Sequence, residues 1–204
     1  GGIANVTVLP AGESLPSHGF DTGPANTLLD GWCRRNRDIP FDSNGDWAAS
    51  GQIQEALLQS MLEEPYFHQT PPKSTGRELF NLGWVDAKLA ASSTKISAAD
   101  VQRTLVDLTV RSITNALTDN NCSPARVIVC GGGVHNSTLM ASLRAAFSVP
   151  VESAHECGVD ADFLEAMAFG WLAYARLTGK SVLPPQLTGA SHPIVLGGIY
   201  SPAV

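Results

Sequence analysis

Two hydrophobic periods alternate along the chain, and the switches between them set the order of elements. Ile3, Val6, Val8 and Leu9 follow Gly1-Gly2 with Thr7 among them, a β-branched run that predicts an opening strand over residues 2–9. Pro10-Ala11-Gly12 ends it. A second short strand over His18-Gly19-Phe20-Asp21-Thr22 breaks at Gly23-Pro24, which leaves Asp21 at a strand end and Asn26 placed to cap a helix over residues 27–33. Past the turn-rich stretch Asp42-Ser43-Asn44-Gly45-Asp46, the spacing of Ile53, Ala56, Leu57 and Met61 predicts a helix starting at Ser50 and ended by Pro65-Tyr66-Phe67. A short helix through Trp84 runs to about Ala91. Ser97-Ala98-Ala99-Asp100 resembles a capping box with Asp in the Glu/Gln place. The long helix it opens carries Val101, Leu105, Leu108, Ile113 and Leu117 along one side.

The second half is organised around Val127-Ile128-Val129-Cys130-Gly131-Gly132-Gly133-Val134-His135-Asn136, read as a short buried strand, a glycine turn and a helix capped by Asn136. Leu139, Met140, Leu143 and Ala146 give that helix an apolar side. Glycines let a ligand approach the backbone, and the first N–H groups of a helix favour an anion, so the stretch is suited to phosphate. A tight turn with no ligand is the bland alternative; three glycines in succession favour the nucleotide or phosphate. A strand over Val149-Pro150-Val151-Glu152 follows. Then comes an apolar helix from Phe163 to Leu177, started by Asp160 or Asp162, with Ala166, Ala168, Gly170 and Ala173 permitting close packing. A last strand is expected at Ile194-Val195-Leu196. Strands at both ends with long helices between them predict an α/β fold, part of its sheet parallel.

A chain of 204 residues, 44% of them hydrophobic, can bury a core in one large domain or two small ones. The net charge of −6 argues against nucleic acid or an anionic membrane as partner. Arg34, Arg35 and Arg37 form the one local cationic cluster, read as a solvated helix face. No apolar run reaches the length of a membrane span. Cys33, Cys122, Cys130 and Cys157 include no CxxC pair and are read as reduced thiols of a cytoplasmic protein. The chain opens on strand-like residues with neither Met nor a signal segment, which is expected of a sequence that begins partway through a protein.

Several motifs tempt and fail. Thr178-Gly179-Lys180-Ser181 copies the end of a P-loop, but its first glycine would fall at Tyr174, inside a helix. Asp21-Thr22-Gly23 copies an aspartic-protease signature without the second carboxylate or the all-β body. Gly131-x-Gly133-x-x-Asn136, with Glu152 beyond it, is a near miss to the dinucleotide fingerprint: Asn136 stands where close helix–strand packing needs glycine. His155-Glu156-Cys157 places different ligand types on adjacent residues, which rarely converge on one ion, so no metal site is expected there. Three features stay open on the residues alone. Asp21 is a ligand-contacting acid at a strand end, or an Asx-turn or cap acid. Glu165 is a functional carboxylate inside an apolar helix or one favoured by the helix dipole. The stiff, cationic loop from His68 to Glu78 contacts a ligand or merely connects.

Taken together, Gly1-Gly2-Ile3-Ala4-Asn5-Val6-Thr7, Gly19-Phe20-Asp21-Thr22-Gly23-Pro24, Pro72-Lys73-Ser74-Thr75-Gly76-Arg77-Glu78, Gly131-Gly132-Gly133-Val134-His135-Asn136 and Glu165-Ala166-Met167-Ala168-Phe169 strongly resemble the anhydro-N-acetylmuramic acid kinase family. The resemblance implies an actin-like (ribonuclease H-like) ATPase lobe, a mixed sheet flanked by helices. Residues 1–204 would form the C-terminal lobe of a two-lobed sugar kinase, with the N-terminal lobe and its first phosphate loop missing. The implied activity opens the 1,6-anhydro ring of anhydro-N-acetylmuramic acid with water and phosphorylates O6 using ATP and Mg2+, in peptidoglycan recycling. Asp21 matches the family's catalytic base and Glu165 a second acid near the sugar. Gly131, Gly132, Gly133 and Asn136 match the adenosine motif, and Gly1 and Gly2 the second phosphate loop. Thr22, Gly23, Lys73 and Arg77 are the implied sugar-side or interlobe contacts. A homodimer is implied, and the fragment alone is expected to be inactive. Two rival readings are a non-catalytic binding or dimerisation module and a dinucleotide-binding enzyme.

Overall fold

The computed structural model describes residues 2–11, 17–92, 94–181 and 191–200. β1 (Ile3–Val8) pairs antiparallel with β2 (His18–Pro24). The register skips at Ala4/Asn5: Ala4 faces Gly23 while Asn5 faces Asp21, so Thr22 is the extra residue of a bulge. Its hydroxyl donates to the Ala4 carbonyl at 3.2 Å. α1 (Asn26–Arg37), α2 (Asp46–Ala49), α3 (Glu55–Leu62), α4 (Leu82–Ala90) and α5 (Ala98–Asp119) follow. β3 (Val127–Val129), α6 (Ser137–Ala146) and β4 (Val151–Ser153) form a parallel βαβ unit, and α7 (Leu164–Leu177) comes last.

The core is built on α5. Val101, Leu105, Val106 and Leu108 are buried among Leu28 and Leu29 of α1, Leu58 and Met61 of α3, Phe80, and Leu139, Met140 and Leu143 of α6. A fully buried leucine contributes roughly 1.5–3 kcal/mol. The sequence marks one apolar side of α5, yet residues from Val101 to Val110 are buried almost all round, Thr104 and Thr109 included. The two threonines are satisfied by backbone partners, whereas the fully buried Gln102 amide has no hydrogen-bond partner among the described residues. Thr104 Oγ1 donates to Asp100 O at 2.7 Å and accepts the Gln54 N–H at 3.0 Å, and Thr109 Oγ1 donates to Pro24 O at 3.1 Å.

Several expectations are corrected. Among the described residues there is no single mixed sheet but two separate two-stranded ladders. α5 packs on the first, and α6, itself packed on α5, lies on β4 of the second. β3 and β4 are three residues long and offer few bonding positions beyond each other. Asn26 does not cap α1: it is already helical, and the Gly2 carbonyl instead accepts the N–H groups of Ala25 at 3.0 Å and Thr27 at 2.9 Å. The helix expected from Ser50 starts at Glu55, because Ser50 closes α2 and Gly51 runs so close to α5 that a Cβ would collide with the Ala99 carbonyl. Neither Asp160 nor Asp162 caps α7, which starts at Leu164 without a side-chain cap. β3 is only half buried and Cys130 is exposed. No strand forms at Ile194–Leu196.

Other expectations hold. Asn136 Oδ1 accepts the Leu139 N–H at 2.9 Å, and Ser97 Oγ accepts the Asp100 N–H at 3.1 Å. The short helix through Trp84 forms as α4, with Asn81, not expected as a cap, accepting the Trp84 N–H at 3.1 Å. Arg34, Arg35 and Arg37 are exposed in the last turn of α1, where cations suit the helix dipole.

α7 departs most from a globular helix. Of its residues only Ala175 is buried, while Met167, Phe169, Trp171, Tyr174 and Leu177 are all more than half exposed. Even so, no helix among the described residues is long and apolar enough to cross a membrane.

Candidate functional site

Asp21 sits on β2 three residues before its end, beside the bulge, rather than at the strand tip. Its Oδ2 accepts the Ser74 hydroxyl at 2.8 Å and the Thr75 N–H at 3.0 Å. Among the described residues Oδ1 accepts no hydrogen bond. The carboxylate is therefore anchored by one oxygen and open at the other, the arrangement a general base needs. Around it the backbone is also held. The Tyr66 phenol donates to the Asp21 carbonyl at 2.8 Å, and the Asp21 N–H donates to Lys73 O at 3.3 Å. Burial, with Asp21 nearby, pushes the Tyr66 phenol far above its ordinary range, so it remains a donor.

The loop from His68 to Glu78 is thus neither a bare connector nor a free cationic arm. The Lys73 ammonium turns inward and donates to the carbonyls of Tyr66 at 3.2 Å and Phe67 at 3.1 Å, over the Tyr66 ring at 4.8 Å. Burial lowers its pKa. Ser74 and Thr75 grip Asp21, and Arg77 reaches Gly2: a Cβ on Gly2 would lie 3.6 Å from Arg77 Nη2 and 3.3 Å from Thr27 Cβ. Burial raises the pKa of Asp30, and Arg34 and then Arg77 are among the cations that partly offset it. Neither Ser74 nor Thr75 carries a spacing signal that sequence reasoning could have used. Gly23 has φ +154 and backs onto Phe67 and Ser112, where a side chain would clash with the Phe67 ring; Thr22 is fully buried.

The glycine turn approaches the same helix start. Gly131 has φ +77, a conformation that suits glycine. Gly132 to His135 form a 3-10 turn, and a Cβ on Gly132 would stand 3.6 Å from Asn26 Nδ2. Two glycine segments far apart in sequence, Gly2 and Gly132, therefore meet the first turn of α1 on Thr27 and Asn26. That turn follows directly from the strand carrying Asp21, and Asp21 to Pro24 spans ~10 Å of strand. The Gly2 carbonyl already accepts two N–H groups of that turn, so what is suited to a polyanion here is the nearby arginine and the two segments lacking Cβ atoms. Gly1 lies outside the described residues.

Glu165 is exposed in the first turn of α7. Among the described residues, no hydrogen bond or ion pair joins it to Asp21 or to the glycine turn. Its helix is tied to that turn upstream: the Gly131 N–H donates to Ala161 O at 3.2 Å, and His135 Nε2 lies 2.8 and 3.0 Å from the two Asp162 oxygens. Sequence reasoning used Asp162 only as a helix start and missed this contact. His155, Asp160 and Asp162 have ligand atoms within 4.8 Å of one another, but all three are exposed and Asp162 is already engaged by His135. Glu156, once weighed with His155 as a ligand, instead accepts the Ser153 N–H at 2.6 Å. A groove of about 840 Å³ between α5 and α6 includes Ser137 and Thr138, but neither the glycines nor Asp21.

Four of the five segments on which the resemblance rests are thus linked, loop to Asp21, loop to Gly2, and Gly2 and Gly132 to α1, while the glycine turn reaches the loop just ahead of α7. The family model for anhydro-N-acetylmuramic acid kinase matches residues 1–202. The chain belongs to the anhydro-N-acetylmuramic acid kinase family. Curated kinases of that name are similar along nearly the whole chain. The one from Xanthomonas oryzae pv. oryzae (strain MAFF 311018) is 50% identical over 201 residues, covering 98% of this chain and 52% of that protein. The one from Bordetella petrii is 48% identical over 202 residues, with coverages of 98% and 53%. The one from Coxiella burnetii (strain Dugway 5J108-111) is 44% identical over 201 residues, with coverages of 98% and 54%. The chain spans about half the length of these curated relatives.

Proposed function

We propose that the complete protein carrying this chain is an ATP-dependent kinase that opens the 1,6-anhydro ring of anhydro-N-acetylmuramic acid and phosphorylates O6. The observation that carries the reading is the meeting of Gly2 and Gly132 at the first turn of α1, beside a strand whose Asp21 keeps one carboxylate oxygen free. Gly131, Gly132 and Gly133 fit a nucleotide: they lack Cβ atoms and adjoin a helix N-terminus. Asn136 holds them in place by capping α6. Arg77, beside Gly2, is the cation available to the phosphates. Bound ATP with Mg2+ supplies the γ-phosphoryl group and neutralises its charge.

Asp21 Oδ1 takes a proton from water as the water oxygen attacks the anomeric carbon. The bond from that carbon to the bridge oxygen breaks, and its electron pair stays on O6. O6 then accepts the γ-phosphoryl group, ADP departs, and Asp21 releases its proton to solvent. Ser74 and Thr75 keep Oδ1 aimed, since both bind only Oδ2. Glu165 orients the water or ring substituents from α7, and Thr22 and Gly23 shape the strand beside the sugar. Lys73 acts from behind by fixing the loop that grips Asp21.

In this reading the chain is the C-terminal, actin-like lobe of a cytoplasmic, homodimeric enzyme of peptidoglycan recycling. A second lobe closes over its cleft, and the apolar side of α7 is a surface that such a lobe would cover. The isolated chain is then inactive. Calorimetric titration with ATP and with the anhydro-sugar, together with mass spectrometry of the product made by the complete protein, tests this. The expected product is a 6-phosphate one water heavier than the simple phosphate ester of the anhydro-sugar. Failure of both ligands to bind the complete protein would favour a non-catalytic module.

A further inference from the structure

We propose that His135 and Asp162 are a positioning pair that sets Glu165 relative to the glycine turn. The inference rests on the functional reading above, in which that turn holds the nucleotide and Glu165 serves the sugar. The two segments are far apart in sequence and come together through two links. One is the bond from the Gly131 N–H to Ala161 O at 3.2 Å. The other is His135 Nε2, within 2.8 and 3.0 Å of both Asp162 oxygens.

Each end of the second link is fixed. His135 lies in a turn closed by Val134 N–H to Gly131 O at 3.1 Å and Asn136 N–H to Gly133 O at 3.1 Å, and Asn136 caps α6. Asp162 is oriented by its own N–H, which donates to Asp160 Oδ1 at 2.9 Å. Glu165 stands three residues further on, in the first turn of α7. Packing among the described residues does little to aim that turn: Leu164, Glu165 and Met167 are exposed, and the one buried residue of the helix, Ala175, lies towards its far end. Nor has α7 a side-chain cap. Among the described residues, what aims this first turn is the loop ahead of it, where the His135–Asp162 contact is a side-chain link to the glycine turn. The side chains are 59% and 49% exposed, so the contact adds little to stability. Its effect is geometric, since small misplacements of a reacting group can cost up to about 100-fold in rate.

The test measures kcat and KM for ATP and for the anhydro-sugar in the complete protein. His135→Ala and Asp162→Ala are each expected to lower kcat by about 10- to 100-fold, with KM for ATP within about threefold of wild type. The double variant should be no worse than the weaker single one, because one contact is lost in each. His135→Gln, whose amide nitrogen can stand near the position of Nε2, should recover most of the rate; it also serves if the alanine variant does not fold. Unchanged kcat in the single variants, additive losses in the double one, or no recovery with glutamine would overturn the positioning role while leaving the kinase reading intact. A wild-type protein that converts no sugar would overturn both.

Discussion

Asp21 illustrates how a residue's surroundings, not its identity, select its role. A surface aspartate with both oxygens solvated is a weak and badly aimed base. Here Ser74 and Thr75 hold one oxygen at 2.8 and 3.0 Å. Ser74→Ala is expected to lower turnover of the complete protein by about 10-fold without changing ATP affinity, read by steady-state kinetics beside calorimetry. Gly45 makes a separate, purely structural prediction. It has φ +73, and a Cβ there would collide with Asn136 Oδ1 and stand 2.8 Å from Thr138 Cβ. Gly45→Ala should destabilise the chain by about 1–3 kcal/mol in urea unfolding, because it combines left-handed backbone strain with displacement of the α6 cap. At this scale the sequence displayed Asp21 and the three glycines but hid their holders. Ser74, Thr75 and Asp162 are ordinary polar residues until tertiary structure brings them to a partner.

Elements set by local chemistry were legible, and those set by distant contacts were not. Asn136 and Ser97 act as caps because a short polar side chain ahead of an apolar period has few better uses. Asn136→Ala should cost about 1 kcal/mol of stability in the same unfolding assay. α1 defeated that logic: a carbonyl from Gly2, remote in sequence, took the cap position. The start of α5 carries a pH dependence. The carboxyl of Asp100 is held below its ordinary pKa of 3.8, first by the Gln52 N–H and then by Ser97. Because the folded value is depressed, the contribution is present above the ordinary pKa and lost as pH falls through the folded one. Unfolding curves of wild type and Asp100→Asn should therefore differ at neutral pH and converge as pH falls below the ordinary carboxylate range. A gap that stays constant across that range would refute the assignment.

For the whole molecule, α/β class followed from the hydrophobic periods, while the burial of α5 almost all round did not. The sheet did not, because three-residue strands such as β3 and β4 leave almost no period to read. The exposed side of α7 was equally hidden, since an apolar helix looks the same in sequence whether its partner lies within the chain or outside it. Because the chain spans about half of its curated relatives, the proposed activity is tested in the complete protein, and the central claim is that Asp21 is the base. The most direct measurement is the turnover of Asp21→Asn in the complete protein, with ring opening and phosphorylation followed separately and ATP affinity measured alongside. Loss of both steps by about 10²- to 10⁴-fold with ATP binding intact is the predicted result; turnover near the wild-type rate would contradict it.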